Sequence, residues 1–162
     1  MSTASYKLYF WYKGAMTKKE KKNNCRTMEQ FYVFANSEDS LNLFNDNAGG
    51  RFRVYFPNPY GTWECALLEL TFVPKLTTPT RRIYVCCDFV DNSYVRDSYI
   101  PVLQSLSVLN EDVTDVTFEN SIYHRVRGGI GQQIEISMKD DNLEICRFKA
   151  DHVFCFVHFH RK

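Results

Sequence analysis

Gly61-Thr62-Trp63-Glu64-Cys65-Ala66-Leu67-Leu68-Glu69-Leu70-Thr71-Phe72 is the longest uninterrupted run in the chain that fits a β-strand. With a period of two, Ala66, Leu68, Leu70 and Phe72 fall on one face, and Trp63, Cys65, Leu67, Glu69 and Thr71 on the other. Gly61 stands before it and Pro74 closes it, since proline has no N–H to give to a central ladder. An apolar row backed by a mixed row predicts a strand that sits in one sheet and packs on a second.

Similar runs lie on both sides of it. Upstream are Met28–Ala35, with Phe31, Val33 and Ala35 opposed to Tyr32 and Phe34, and Arg51–Phe56, where Phe52, Val54 and Phe56 alternate with Arg51, Arg53 and Tyr55. Downstream, Arg82–Val90 places Ile83, Val85, Cys87 and Phe89 on one face. Pro101–Val108, one or two pieces of Val116–Arg127 broken at Asn120, Gln132–Met138, Leu143–Phe148 and Val153–His160 follow. Polar or glycine- and proline-rich segments separate them: Asn36–Gly50, Pro57–Gly61, Pro74–Arg81, Asp91–Ser93, Asn110–Asp115 and the tight turn Lys139–Asn142. No segment has sustained helical periodicity. The pattern predicts an all-β protein, and about eight antiparallel strands with long connections fit a single jelly-roll β-sandwich.

A chain of 162 residues and 19.1 kDa is one domain's worth, and 15% aromatic residues favour strands. The net charge of +1 is unevenly spread. Residues 1–26 hold seven Lys or Arg against one Glu, a net of +6, which leaves −5 on the other 136 residues. We therefore divide the chain into a basic N-terminal arm and linker, 1–26, and a sandwich domain, 27–162. Within the arm, Ser5–Tyr12 is strand-like, with Tyr6, Leu8 and Phe10 on one face. Lys13–Asn24 lacks apolar periodicity and reads as a solvated linker. Its Lys13, Lys18, Lys19, Lys21 and Lys22 are candidate contacts to an acidic partner or, without sequence preference, to nucleic acid; the alternative is a solubilising role.

The apolar stretch Tyr6–Tyr12 is short and interrupted by Lys7, so a secretory leader and a membrane span are not expected. Cys25, Cys65, Cys86, Cys87, Cys146 and Cys155 sit mainly in strand-like runs, which predicts reduced, buried thiols.

Reactive constellations are sparse. His158 and His160 point the same way on a strand, as a metal-binding jelly roll of the cupin type requires, but the glutamate and third histidine that should follow are missing. His152 is about 20 Å further along that strand, and His124 could join only through the fold. Cys86 and Cys87 are adjacent and so face opposite ways. Asp88, Asp91, Asp97, Asp140 and Asp141 lack calcium-loop spacing, and Asp91 and Asp97 suit turns. Arg127-Gly128-Gly129-Ile130-Gly131 joins two strands, whereas a phosphate loop opens a helix. The residues point to a protein that is not an enzyme and carries no cofactor or catalytic metal.

Two ordered blocks carry a family resemblance. The first is Phe52-Arg53-Val54-Tyr55-Phe56-Pro57 followed by Gly61-Thr62-Trp63-Glu64-Cys65-Ala66-Leu67-Leu68-Glu69. The second is Ile83-Tyr84-Val85-Cys86-Cys87-Asp88-Phe89-Val90-Asp91, then Val95-Arg96-Asp97-Ser98-Tyr99-Ile100-Pro101-Val102-Leu103. Tyr123-His124-Arg125-Val126 leading into Ile134-Glu135-Ile136, and the terminal Val157-His158-Phe159-His160, continue the likeness. From about Met28 onward the chain resembles the small capsid protein of Polinton/Maverick elements and adintoviruses. That resemblance implies a single jelly roll acting as the penton, or vertex, protein of an icosahedral capsid. It also implies a homopentamer beside major capsid protein neighbours, in the virion. Arg96 replaces a glycine usual in the family, which predicts a different turn there. The segment before Cys25 has no counterpart in the family. The residues themselves leave a second reading open, a carbohydrate- or partner-binding sandwich, lectin-like or fibre-head-like, using the Tyr-rich loops Pro57–Tyr60 and Ser93–Tyr99.

Overall fold

The computed structural model describes residues 29–38, 41, 44–56, 61–73, 80–108, 114–127, 133–148 and 152–162. These residues form eleven strands: β1 Gln30–Asn36, β2 Arg51–Tyr55, β3 Trp63–Phe72, β4 Arg82–Cys87, β5 Ser93–Val95, β6 Ser98–Ile100, β7 Val102–Ser107, β8 Thr114–Thr117, β9 His124–Arg125, β10 Gln133–Lys139 and β11 Val153–Arg161. The described residues contain no helix, so the fold is all-β.

The strands make two antiparallel sheets and a hairpin. One sheet has the order β1-β11-β3-β8, with the short β9 also on β3. The other runs β2-β10-β4-β7, and β5-β6 is the separate hairpin. Apart from β9 and the hairpin, the pairing is nested: β1 with β11, β2 with β10, β3 with β8 and β4 with β7. Folding a long hairpin back on itself produces this order. The sheets pack face to face around one apolar cluster that takes the inward rows of both. Phe31 and Phe159 of the first sheet meet Phe56, which follows β2, at ring centroid distances of 6.1 and 5.1 Å. Phe89, which follows β4, lies 5.4 Å from Phe159.

The inward row of β3 differs from the one its alternation predicts. Trp63, Cys65 and Leu67 are buried in the core at its start, and Leu70 and Phe72 at its end. The row changes parity because the register with β11 slips: Phe156 opposes Glu69, while Val157 opposes Leu67. Leu68 is the extra residue of a β-bulge, and one extra residue sends every later side chain to the opposite face. The carbonyls at the bulge keep partners from outside the β11 ladder. The Phe118 N–H donates to the Leu68 carbonyl at 2.8 Å, and the Ser121 hydroxyl to that of Leu67 at 3.0 Å.

Three further expectations are corrected. The Tyr-rich stretch Ser93–Tyr99 is a hairpin rather than a loop. Its turn holds Arg96 and Asp97 at φ of 46° and 60°, so an arginine occupies a left-handed position that suits glycine. Strand β4 stops at Cys87, because the Val90 N–H turns back onto the Cys87 carbonyl at 3.2 Å. Leu143–Phe148 is no strand. After the turn it makes an isolated bridge, Ile145 to Lys139, because the Asp140 carboxylate gathers the Asn142 and Glu144 N–H groups at 2.8 and 3.0 Å. Cys86 and Cys87 do face opposite ways: Cys87 joins the main core, and Cys86 a small cluster with Ile100 and Val102.

Candidate assembly surface

The outward row of β1 and β11 is aromatic where water would favour polar side chains. Tyr32 opposes His158 in the register, and Phe34 opposes Phe156. Their rings interleave with Phe154 into a ladder that alternates between the two strands. In order it runs Phe154, Phe34, Phe156, Tyr32 and His158, with successive centroid distances of 6.0, 4.4, 5.3 and 4.7 Å. Tyr123, just before β9, continues it, 5.8 Å from His158 and 4.6 Å from His160. Phe34 is 43% exposed and Tyr123 40%. The middle contacts are close to parallel, at interplanar angles of 19–24°. Those rings thus spend their faces on one another and turn their edges outward. A pair of this kind is worth about 1 kcal/mol beyond its buried area.

The ladder ends in a polar cluster. The Tyr123 hydroxyl lies 2.7 Å from His158 Nδ1. Burial, then the neighbouring His160, hold the His158 pKa below the ordinary histidine value, so its ring is disposed to be neutral. His160 Nε2 is 3.3 Å from Glu64, and Lys162 Nζ donates to the same carboxylate at 2.6 Å. The Lys162 hydrogen bond is the main reason Glu64 ionises below the usual range.

His158 and His160 do share a face, with ring centroids 5.9 Å apart, and the nearest carboxylate, Glu64, pairs with His160 and Lys162. His152 pairs with Glu38 at 3.4 Å, and His124 contacts the Leu103 backbone. Among the described residues no group of three His, Cys, Asp or Glu side chains could hold a metal ion. The aspartates are engaged in structure. Asp88 accepts from the Glu135 N–H at 3.0 Å, Asp97 from the Tyr94 hydroxyl at 2.9 Å, and Asp141 from the Arg81 N–H at 2.7 Å. Asp91 lies 3.6 Å from Arg127. Cys65, Cys86, Cys87, Cys146 and Cys155 are buried free thiols. Burial pushes Cys86 up to about 11, and Cys146 and Cys155 up to about 12, so these sulfurs stay protonated and unreactive at neutral pH. Cys25, Lys13, Lys18, Lys19, Lys21, Lys22, the Pro57–Tyr60 loop and most of the glycine-rich turn lie outside the described residues.

The outer face of the second sheet has another character. Arg51 on β2 pairs with Glu135 on β10 at 2.8 Å. Beside them, Asp88, Lys139 and Cys86 line a groove of about 280 Å³. Positive and negative groups alternate there, so the groove selects for neither sign of ligand.

Sequence reasoning placed Tyr32, Phe34 and the strand Val153–His160 without seeing that they form one surface. The signal was present: both strands carry aromatic residues in the row opposite their core row. No protein-family model matches the chain, and no curated protein matches it.

Proposed function

We propose that this protein is a non-catalytic structural subunit, the penton of an icosahedral capsid of a DNA virus or virus-like transposon. The observation that carries the reading is the aromatic ladder on the outer face of the first sheet. A partly exposed aromatic row of this length on a small sandwich suits a surface that another protein covers. The two antiparallel sheets with nested strand pairing support it, since a jelly roll, a sandwich used in capsid shells, would pair its strands in a nested way. So does the family resemblance of the Phe52–Glu69 and Ile83–Leu103 blocks. In this reading five copies close a ring through heterologous contacts and sit among major capsid protein neighbours. The work is done by burial of complementary surface, with no bond made or broken.

Light scattering on a size-exclusion column tests the reading. A species of about five times 19.1 kDa, lost in Phe34→Ser, supports it. A monomer at every concentration counts against it.

One observation favours the lectin-like alternative: Tyr94 and Tyr99 on the β5–β6 hairpin are 62% and 72% exposed, with centroids 5.0 Å apart. Sugar stacking needs open ring faces, which this hairpin offers and the ladder's middle does not. Glycan-array binding abolished by Tyr99→Ala, with no assembly, would establish that reading instead.

A further inference from the structure

We propose that the N-terminal segment Tyr6–Tyr12 of a neighbouring copy adds as a strand along the edge of β1 and extends the aromatic ladder sideways. This rests on the assembly reading and names the contact that would carry it.

Four observations converge. First, β1 is the end strand of its sheet, pairing among the described residues with β11 alone. An end strand offers a row of backbone groups to an incoming strand. Second, the lengths are close: β1 has seven residues, and the strand-like Ser5–Tyr12 has eight. Third, the repeats agree. In an extended segment, alternate residues recur every ~6.7 Å. Tyr32 and Phe34 follow that spacing in β1, and Tyr6, Leu8, Phe10 and Tyr12 would take it in an extended segment. Added beside β1, one row of the segment therefore continues the ladder sideways, against the flanks of Tyr32 and Phe34. Fourth, the charges agree: residues 1–26 carry +6 against −5 on the rest of the chain. Opposite net charges speed the encounter and fade as salt screens them.

The linker is long enough. Lys13–Met28 has sixteen residues, which span up to about 55 Å when extended. That exceeds the ~30 Å length of β11, the longer strand in the ladder. Donation to a neighbour follows from the assembly reading. A closed ring needs two different surfaces on each copy, one giving and one receiving. The segment and the ladder are such a pair, whereas docking on the segment's own ladder would leave neither free.

The test uses full-length chains. An arm variant carries Tyr6→Ser, Leu8→Ser and Phe10→Ser, with its thermal transition checked against the parent. A face variant carries Phe34→Ser, with its thermal transition checked against the parent. The parent is expected to give a ring and each variant alone a 19.1 kDa monomer. An equimolar mixture is expected to double that mass, because one intact arm can meet one intact ladder. A parent ring that survives the arm substitutions unchanged overturns the arm contact while leaving assembly standing. A parent that stays monomeric overturns both. A mixture that stays monomeric beside a parent ring assigns the two lesions to something other than one shared contact, and sinks the proposal.

Discussion

The outer faces of the two sheets are built on the same kind of strand yet carry opposite chemistry. On the β1–β11 side, seven rings interleave across two strands and an adjoining loop, and their hydrogen bonds are gathered at one end around Glu64 and His158. On the β2–β10 side, Arg51, Glu135, Asp88 and Lys139 surround a groove, and the segment after β10 lies against the sheet. Both inner faces are equally dry, so the core does not explain the contrast. A solvated outer face needs only charged or polar side chains. The aromatic face is therefore chemistry beyond what the sandwich requires, and it is where a partner is to be sought.

The largest effect that would break this comparison lies on the polar side. A Cβ at Gly50 would stand 1.9 Å from the Cys146 carbonyl oxygen, a backbone atom that cannot swing away. Gly50→Ala is expected to lower stability by on the order of 3 kcal/mol, because the 144–146 segment must lift off the sheet. Urea denaturation measures it, and an unchanged midpoint would mean that segment is free to move.

Next comes the ladder itself. Phe156 stacks on both Phe34 and Tyr32, and its truncation to Ala removes two ring contacts along with half-buried area. A loss of about 2 kcal/mol is expected, below the 3–5 kcal/mol typical of a wholly buried phenylalanine. A loss as large as that of Phe159→Ala, on the inward row of the same strand, would erase the distinction between the two rows.

Replacing Arg96 with glycine should act in the opposite direction. With φ at 46°, the arginine pays the steric cost of a left-handed conformation, about 1 kcal/mol. Arg96→Gly is expected to raise the thermal midpoint by several degrees. A fall would show that the arginine side chain contributes more than its backbone costs.

The smallest effect is a pH dependence confined to the ladder's polar end. The folded pKa of His158 lies below 6.5, so its contribution is complete above 6.5 and is lost as pH falls through the folded value. Protonation makes both ring nitrogens donors, so Nδ1 can then only donate to the Tyr123 hydroxyl 2.7 Å away. Glu64, held below 4.5, likewise stabilises above 4.5 and ceases to do so as acid titrates it in the folded state. Stability should therefore weaken on acidification below about 6.5, and Tyr123→Phe should flatten the upper part of that slope. A slope unchanged by that substitution would place the titration elsewhere.

Much of the fold was legible because alternation is a local property. In Arg51–Phe56 and Gln132–Met138, neighbouring residues alone determine which side chains turn inward, and the observed rows agree. The same reasoning failed at Leu68 for a definite reason. A bulge is fixed by the partner strand, and β11 begins more than eighty residues later. It failed at Leu143–Phe148 because the Asp140 carboxylate captured backbone donors that a ladder would have used.

By itself, then, the amino-acid order determined that this is an all-β chain with an apolar row on each of its long strands, since side-chain direction repeats every two residues whatever the strand pairs with. Only the tertiary structure decided that Tyr32 and Phe34 would interleave with Phe154, Phe156 and His158. Those rings come from opposite ends of the sandwich domain, and they form one surface because the nested pairing sets the first strand beside the last.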